Sequence, residues 1–404
     1  MGLLNRTSRG PIGVDVGSRW IKAAQVSGAA GRVRLEAAAL IPRAGTDAAP
    51  SPAELTQLAD VLERQGFAGR RIVLSAPPQS LLTATVNLPP RGSGAPLEQI
   101  ARMELARAHR CDPQQLSVAF WELPQAAGPG ASGAIGATGA PKASGASGAG
   151  ATKQLESTGA MAVACSSEQA NPLLDAFEAA GFDVVGLDVS WLALRRACAP
   201  LLGEAGDTGV TGIIDLGARS ARVIALKQGV IVYERLLGES GIDRLSESLR
   251  TRLQLDDEAI AYLLAEVGLA TESNEGEAPA TREGDRRSNP SPQKKDRRGQ
   301  GSGEPDLYKE PRRLIVEAVD ALAEEVATSL AYVAQQHRNA EVSAVLLTGG
   351  GAGIRGIDAR LSEDLQAKVR VAGPGDLAQV SAGLIRHGGN PAFTAALGLA
   401  MYRV

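Results

Sequence analysis

One short layout occurs twice in this chain, and the repetition limits the folds that the chain can adopt. Residues 10–22 read GPIGVDVGSRWIK, and residues 212–226 read GIIDLGARSARVIAL. In both segments an apolar run predicts a strand, an Asp precedes a glycine turn, and a second apolar strand follows. We therefore predict two equivalent β-hairpins, one near the start of each of two related halves.

The first hairpin carries groups that suit a phosphate. Gly17 allows a tight turn whose backbone N–H groups can approach an anion, and Ser18 adds a hydroxyl donor. Asp15 is placed to hold a hydrated magnesium ion, and Lys22 returns on the next strand as a point positive charge. Taken alone, the segment fits an ordinary hairpin with a surface Asp equally well.

The second hairpin and a later glycine run complete the set. Its equivalent groups are Asp215, Gly217, Arg219 and Ser220. Two hairpins facing each other across a cleft would hold a polyphosphate from both sides. Residues 344–348 then predict a buried strand that runs into a glycine turn, where a base and ribose could lie against the backbone. The glycines of this turn are Gly349, Gly350, Gly351 and Gly353.

These three elements resemble the phosphate 1, phosphate 2 and adenosine motifs of the actin-like ATPase superfamily. Within it, residues 70–90, 97–116 and 173–197 resemble the PilM-type proteins of type IV pilus assembly. The resemblance implies ATP and Mg²⁺ as cofactors, with Asp15 and Asp215 holding the metal through water. Gly238 and Glu239, followed by Leu245 and Leu249, resemble the start of the lid subdomain in that family.

The resemblance implies an α/β fold of the actin-like, ribonuclease H-like kind, which is duplicated. It would contain two five-stranded mixed sheets flanked by helices and a small 1C subdomain as in FtsA and PilM. We expect the first half (1A) over 1–78, the 1C-like subdomain over 79–183, and helices returning to the first half over 184–210 and 391–404. We expect the second half (2A) over 211–237 and 311–390, and the lid subdomain (2B) over 238–310.

Two segments have the composition of flexible inserts. Residues 126–152 are mostly Gly, Ala, Ser and Thr, and residues 271–306 are rich in charged residues, Gly, Pro and Ser. Such segments bury too little apolar surface to order themselves. The basic stretch 286–298 has no aromatic residue to stack on bases, and acidic residues flank it, so we expect no nucleic-acid binding.

Overall composition and charge point to a globular cytoplasmic chain. The net charge is −3, and the three cysteines, Cys111, Cys165 and Cys198, are too few and too widely spaced for a disulfide framework or a zinc site. No apolar run approaches the ~20 residues that span a bilayer. We expect the chain to reach the cytoplasmic face of the inner membrane only indirectly.

The resemblance predicts a nucleotide-binding scaffold of a type IV pilus or related type II secretion platform. Its partner would be the cytosolic N-terminal peptide of a PilN-like bitopic membrane protein, bound between the first half and the small subdomain. Ile100, Met103 and Leu105 cannot all face one core on a single helix, so each would either face the peptide or be buried against the neighbouring strand. Other platform proteins are further expected partners, and the chain could associate with itself. The alternatives are an FtsA-like division filament and, with less support, a sugar kinase.

Two features depart from the family pattern. Arg19 and Trp20 follow Gly17 where relatives carry small residues, so Trp20 would either pack under the strand or crowd the phosphate. Arg219 would either contact phosphate or face solvent. The sequence identifies no base that would activate water, so we expect at most slow ATP hydrolysis.

Overall fold

The computed structural model describes residues 9–28, 33–45, 47, 49–124, 158–203, 209–269 and 308–402. The segments predicted as inserts, 126–152 and 271–306, lie outside these residues. The described chain forms two large sheets and one small sheet, with helices between and around them.

The first large sheet has six strands, in the order β14-β3-β2-β1-β4-β8. They are β1 (Arg9–Val16), β2 (Trp20–Ser27), β3 (Arg34–Pro42), β4 (Arg71–Ser75), β8 (Asp183–Asp188) and β14 (Gln379–Val380). Strand β1 is antiparallel to β2 and parallel to β4. We expected five strands from the sequence, and the sixth is the edge strand β14. Its two residues are too few to show a hydrophobic alternation.

The second large sheet repeats the first five-strand arrangement, in the order β11-β10-β9-β12-β13. Its strands are β9 (Val210–Leu216), β10 (Ala221–Lys227), β11 (Val230–Leu237), β12 (Val342–Thr348) and β13 (Lys368–Val371). Strand β9 is antiparallel to β10 and parallel to β12, as β1 is to β2 and β4. The predicted duplication is confirmed, and the hairpins β1–β2 and β9–β10 occupy equivalent places.

The small sheet has the order β5-β7-β6, with β5 (Leu81–Leu88), β6 (Leu116–Glu122) and β7 (Thr158–Ser166), all antiparallel. Helix α2 (Leu97–His109) covers one face, where Ala101 and Leu105 pack with alanines of β7. On the other face, Trp121 donates its indole N–H to the carbonyl of Ile231, at 2.8 Å. The small subdomain is therefore tied directly to the second half.

The remaining helices flank these sheets. They are α1 (Pro52–Arg64), α3 (Ser167–Ala179), α4 (Ser190–Leu202), α5 (Ile242–Leu253), α6 (Asp257–Tyr262), α7 (Lys309–Gln336), α8 (Ile357–Leu365), α9 (Pro374–Leu377), α10 (Ile385–Gly388) and α11 (Thr394–Ala400). Helix α3 lies in the segment predicted for the small subdomain, yet its Leu173 and Phe177 are buried in the core of the first half with Ile12 and Ile72.

A shared core joins the two halves. Trp191 and Leu194 of α4 and Leu397 of α11 are buried together with Leu35 of the first sheet and Ile213 of the second. Burial of this much apolar surface stabilises the contact between the halves. The two glycine hairpins are thus held on a common support, with their turns at the carboxyl ends of β1 and β9.

Candidate nucleotide-binding cleft

The two glycine turns have the same hydrogen-bonded geometry. The Gly17 N–H donates to the Trp20 carbonyl at 3.0 Å, and the Gly217 N–H donates to the Ser220 carbonyl at 3.0 Å. A Cβ added at Gly17 would lie 3.0 Å from the Trp20 oxygen, and one at Gly217 would lie 2.9 Å from the Ser220 oxygen. Both turns are thus too tight for an unshifted side chain at the glycine.

Asp15 is the carboxylate of the first hairpin, and it has two side-chain partners. The Lys22 ammonium lies 2.5 Å from its Oδ2, across the β1–β2 ladder. The Ser75 hydroxyl, at the end of β4, donates to its Oδ1 at 3.2 Å. Asp15 and Lys22 therefore lie side by side, and Ser75 joins them.

Asp215 is the equivalent carboxylate of the second hairpin. Thr348, at the end of β12, lies beside it in the parallel ladder, as Ser75 lies at the end of the equivalent strand β4. Burial raises the pKa of Asp215, with Lys22 acting against this shift and Asp15 adding to it.

Lys22 contacts the carboxylate of its own hairpin and also responds to that of the other half. Burial alone would lower the pKa of Lys22, but Asp15, which contacts it, and Asp215 outweigh burial and raise this pKa above its ordinary value. The Lys22 ammonium therefore stays protonated at neutral pH.

The glycine turn after β12 lies directly against the second hairpin. Gly349 has φ of +85°, and a Cβ there would lie 2.6 Å from Oδ1 of Asp215. A Cβ at Gly351 would overlap the side chains of Leu216 and Ile242. By contrast, Gly350 and Gly353 have no atom within 4 Å of an added Cβ. Gly349 and Gly351 are thus closely packed against the protein, whereas Gly350 and Gly353 face open space.

The remaining predicted residues lie at the rim of the cleft. Arg19 forms an ion pair with Asp243 of α5, with 2.5 Å between Nε and Oδ1, so it connects the two halves. Trp20 is 41% exposed and does not pack under the strand. Arg219 faces solvent. Gly238 and Glu239 are also exposed, and the Glu239 carboxylate lies 3.8 Å from Arg244.

Sequence reasoning missed four residues at this site. Ser75 and Thr348 are the last residues of the strands next to the hairpins. A prediction of where those strands end could have identified both residues. Arg222 faces Asp215 across the ladder, as Lys22 faces Asp15, and it forms a buried ion pair with Glu234. Asp243 could be assigned only from the folded chain, because its partner Arg19 belongs to the other half.

Two grooves lie away from this cleft. One of about 770 Å³ runs beside β14 and is lined by Val33, Pro200 and Val380. Another of about 600 Å³ lies in the lid region, where Tyr262 and Tyr308 line it. Neither groove is lined by a residue of the three motifs.

Within the parts of the chain that the structure describes, no three or more His, Cys, Asp or Glu side chains are grouped to hold a metal ion. In the same parts, no helix combines the length and the apolar character needed to cross a membrane.

The sequence matches one protein family over its last quarter. Residues 305–404 match the family described as type IV pilus assembly protein PilM. Among curated proteins, none matches this chain.

Solved structures resemble the chain over nearly its whole length. A structure described as a PilM-PilN type IV pilus biogenesis complex covers 97% of this chain and 98% of its own, with a TM-score of 0.68 and 19% identity. Ethanolamine utilization protein EutJ from Carboxydothermus hydrogenoformans covers 98% of this chain and 90% of its own, with a TM-score of 0.48 and 14% identity. An MreB protein of Spiroplasma citri bound to AMPPNP covers 97% of this chain and 95% of its own, with a TM-score of 0.47 and 12% identity.

The duplicated sheets, the paired hairpins and the PilM-PilN likeness identify the fold, and the family match adds a sequence-level link. The chain has the actin-like fold, its overall structure is similar to that of the PilM-PilN complex, and its residues 305–404 match the PilM family.

Proposed function

We propose that this chain binds ATP with Mg²⁺ in the cleft between its halves and acts as a nucleotide-binding scaffold of a type IV pilus or related type II secretion platform. The observation that carries the proposal is the pair of equivalent glycine turns, each next to an Asp at the end of a central strand. Lys22 contacts Asp15 at 2.5 Å, and Asp215 of the other half adds to the rise in the pKa of Lys22. Such groupings of charge are common at functional sites.

The residues fit a magnesium nucleotide. Mg²⁺ binds oxygen ligands and retains part of its water shell, and Asp15 and Asp215 would hold it through water. When bound, the ion would neutralise part of the phosphate charge. The turns at Gly17 and Gly217, with the hydroxyls of Ser18 and Ser220, would supply donors to the phosphates.

The adenosine end would lie at the turn after β12. Gly350 and Gly353 face open space, which leaves room for a flat base and a ribose against the backbone. Gly349 and Gly351 would hold this turn against Asp215 and Leu216, so that the nucleotide's two ends are positioned relative to each other.

The proposed partner is the cytosolic N-terminal peptide of a PilN-like membrane protein, which would recruit the chain to the inner membrane. The likeness to a PilM-PilN complex supports this partner. On helix α2, Leu105 is fully buried against the small sheet, whereas Met103 is 58% exposed. An exposed, flexible thioether is suited to contact a partner peptide. Met103 is therefore the residue of that helix that we assign to the peptide groove.

Calorimetric titration of the full chain with Mg·ATP tests the nucleotide site. We expect saturable binding that Asp15→Asn and Asp215→Asn each weaken, because each removes a charge that orients the metal hydration shell. Asp60→Asn, at an exposed position of α1, is the matched control and should bind as the wild type does. An absence of heat at millimolar ATP would contradict the assignment.

Fluorescence polarisation tests the partner. The labelled probes are the cytosolic N-terminal peptides of the bitopic membrane proteins encoded beside this gene. We expect one of them to bind the full chain. If none binds and the chain instead sediments alone as ATP-dependent filaments, the FtsA-like alternative replaces the scaffold.

A further inference from the structure

A buried ion pair lies behind the first glycine turn, and neither the sequence motifs nor the proposed contacts with nucleotide use it. Arg43, just after β3, has a side chain that is 2% exposed, and Glu54 of α1 has one that is 6% exposed. Their Nε and Oε1 atoms are 3.5 Å apart. We propose that Arg43, held by Glu54, is a positioning residue for the phosphate-binding turn of the first hairpin. This inference rests on the proposed nucleotide site.

Arg43 holds the turn at two places. Its backbone N–H donates to the carbonyl of Arg19 at 2.9 Å, and its Nη1 donates to the carbonyl of Gly17 at 3.1 Å. The other terminal nitrogen donates to the carbonyls of Asp47, at 2.8 Å, and Ala49, at 3.3 Å. One side chain thereby joins the turn to the loop that leads into α1.

These bonds determine where the turn's N–H groups point. The described peptide bonds include no cis bond. In a trans peptide the C=O and the following N–H point in opposite directions. Fixing the Gly17 and Arg19 carbonyls toward Arg43 therefore directs the N–H groups of Ser18 and Trp20 to the opposite side. N–H groups aimed in a fixed direction are what an anion site requires.

The second hairpin obtains the same support from a helix. The carbonyl of Gly217 accepts from the Ile242 N–H at 3.2 Å, and the carbonyl of Ala218 accepts from the Asp243 N–H at 2.8 Å. Both donors belong to the first turn of α5, and the N–H groups at a helix start have no partner within the helix. In the first half, the helix that follows the third strand is α1, which begins only at Pro52, and Arg43 supplies the donors to the turn.

Glu54 lies 3.5 Å from the Arg43 Nε as a buried counter-charge and is itself fixed by two backbone groups. Its Oε1 accepts from the Ala44 N–H at 2.8 Å, and its Oε2 accepts from the Ser51 N–H at 2.7 Å, as part of the capping box that starts α1. Burial would raise the pKa of Glu54, but these bonds and Arg43 outweigh it and lower this pKa. A buried pair of this kind commonly adds less stability than apolar side chains of the same volume. A role in positioning the glycine turn would explain why the buried Arg43–Glu54 pair is present.

Two variants of the full chain separate positioning from stability. Arg43→Lys keeps the charge, but a single ammonium cannot make the guanidinium's fork of bonds to three carbonyls. Leu58→Ala removes a fully buried side chain of α1 in the same half, with no bond to the turn, and should lower the Tm by several degrees. We expect Arg43→Lys to weaken Mg·ATP binding about tenfold or more. Leu58→Ala should leave the Kd within about twofold.

The inference is overturned if Arg43→Lys binds Mg·ATP as the wild type does, or if both variants lose affinity in proportion to their loss of Tm. A second readout does not need nucleotide. Without ligand, hydrogen exchange in the β1–β2 hairpin should be faster in Arg43→Lys than in Leu58→Ala, and equal rates would also overturn it. If the wild type fails to bind nucleotide, the proposed function fails, while the exchange comparison still decides the role of Arg43.

Discussion

Two neighbouring glycines allow a sharp test, because the structure gives them different reasons to be glycine. Gly349 has φ of +85°, and an added Cβ would lie 2.5 Å from the Leu216 carbonyl oxygen and 2.6 Å from Oδ1 of Asp215. Gly350, the next residue, has nothing within 4 Å of an added Cβ. Alanine at each position adds the same methyl group to the same turn.

The expected cost of Gly349→Ala follows from these distances. The left-handed backbone costs an L-residue roughly 1–2 kcal/mol. Crowding against the backbone carbonyl of Leu216, which cannot easily move, adds about 1–3 kcal/mol. We expect the free energy of unfolding to fall by about 2–5 kcal/mol. Gly350→Ala meets neither obstacle and should change that free energy by less than about 0.5 kcal/mol.

The assay combines urea unfolding, followed by circular dichroism without nucleotide, with titration of a fluorescent ATP analogue. Gly350→Ala should be as stable as the wild type yet bind the analogue about tenfold more weakly, because its methyl group occupies space assigned to the nucleotide. Wild-type binding by Gly350→Ala would refute the adenosine assignment. Wild-type stability of Gly349→Ala would refute the reasoning from backbone strain.

Two further predictions concern charge and partner. The pKa of Asp215 is higher in the folded chain than in the unfolded chain, so the folded chain binds the Asp215 proton more tightly. Stability therefore falls as the pH rises from the ordinary carboxylate pKa through the raised one. Asp215→Asn should remove this pH dependence of the free energy of unfolding and, without nucleotide, be more stable than the wild type at neutral pH. Urea titrations between about pH 4 and about 8 would measure this, and an unchanged pH dependence would contradict the prediction. Met103→Glu should leave the Tm unchanged, because the side chain is exposed. It should abolish the rise in fluorescence polarisation that the labelled partner peptide shows on binding. Binding at the wild-type level would remove α2 from the proposed groove.

The duplicated core could be predicted from the sequence because the residues that indicate it are close together in the chain. The spacing of Asp15 and Gly17, and of Asp215 and Gly217, fixes a strand end and a turn that neighbouring residues alone determine. The strand predicted at 344–348 followed for the same reason, and it lies within β12 (Val342–Thr348). The short edge strand β14 has no such pattern and was found only in the folded chain.

The missing parts of the site depend on contacts between distant segments. Nothing near Arg43 in the sequence indicates that its guanidinium reaches the Gly17 carbonyl, and Arg19 pairs with Asp243 only because the halves face each other. The glycine run also looked uniform in sequence. In the structure it divides into Gly349 and Gly351, which contact protein, and Gly350 and Gly353, which face open space.

A crystal structure of the full chain with Mg²⁺ and AMPPNP would show whether nucleotide binds between the two glycine turns. We expect the phosphates between the turns at Gly17 and Gly217, the metal beside Asp15 and Asp215, and the base against Gly350 and Gly353. Nucleotide bound in either of the two grooves outside the cleft, or an empty cleft at saturating nucleotide, would contradict it.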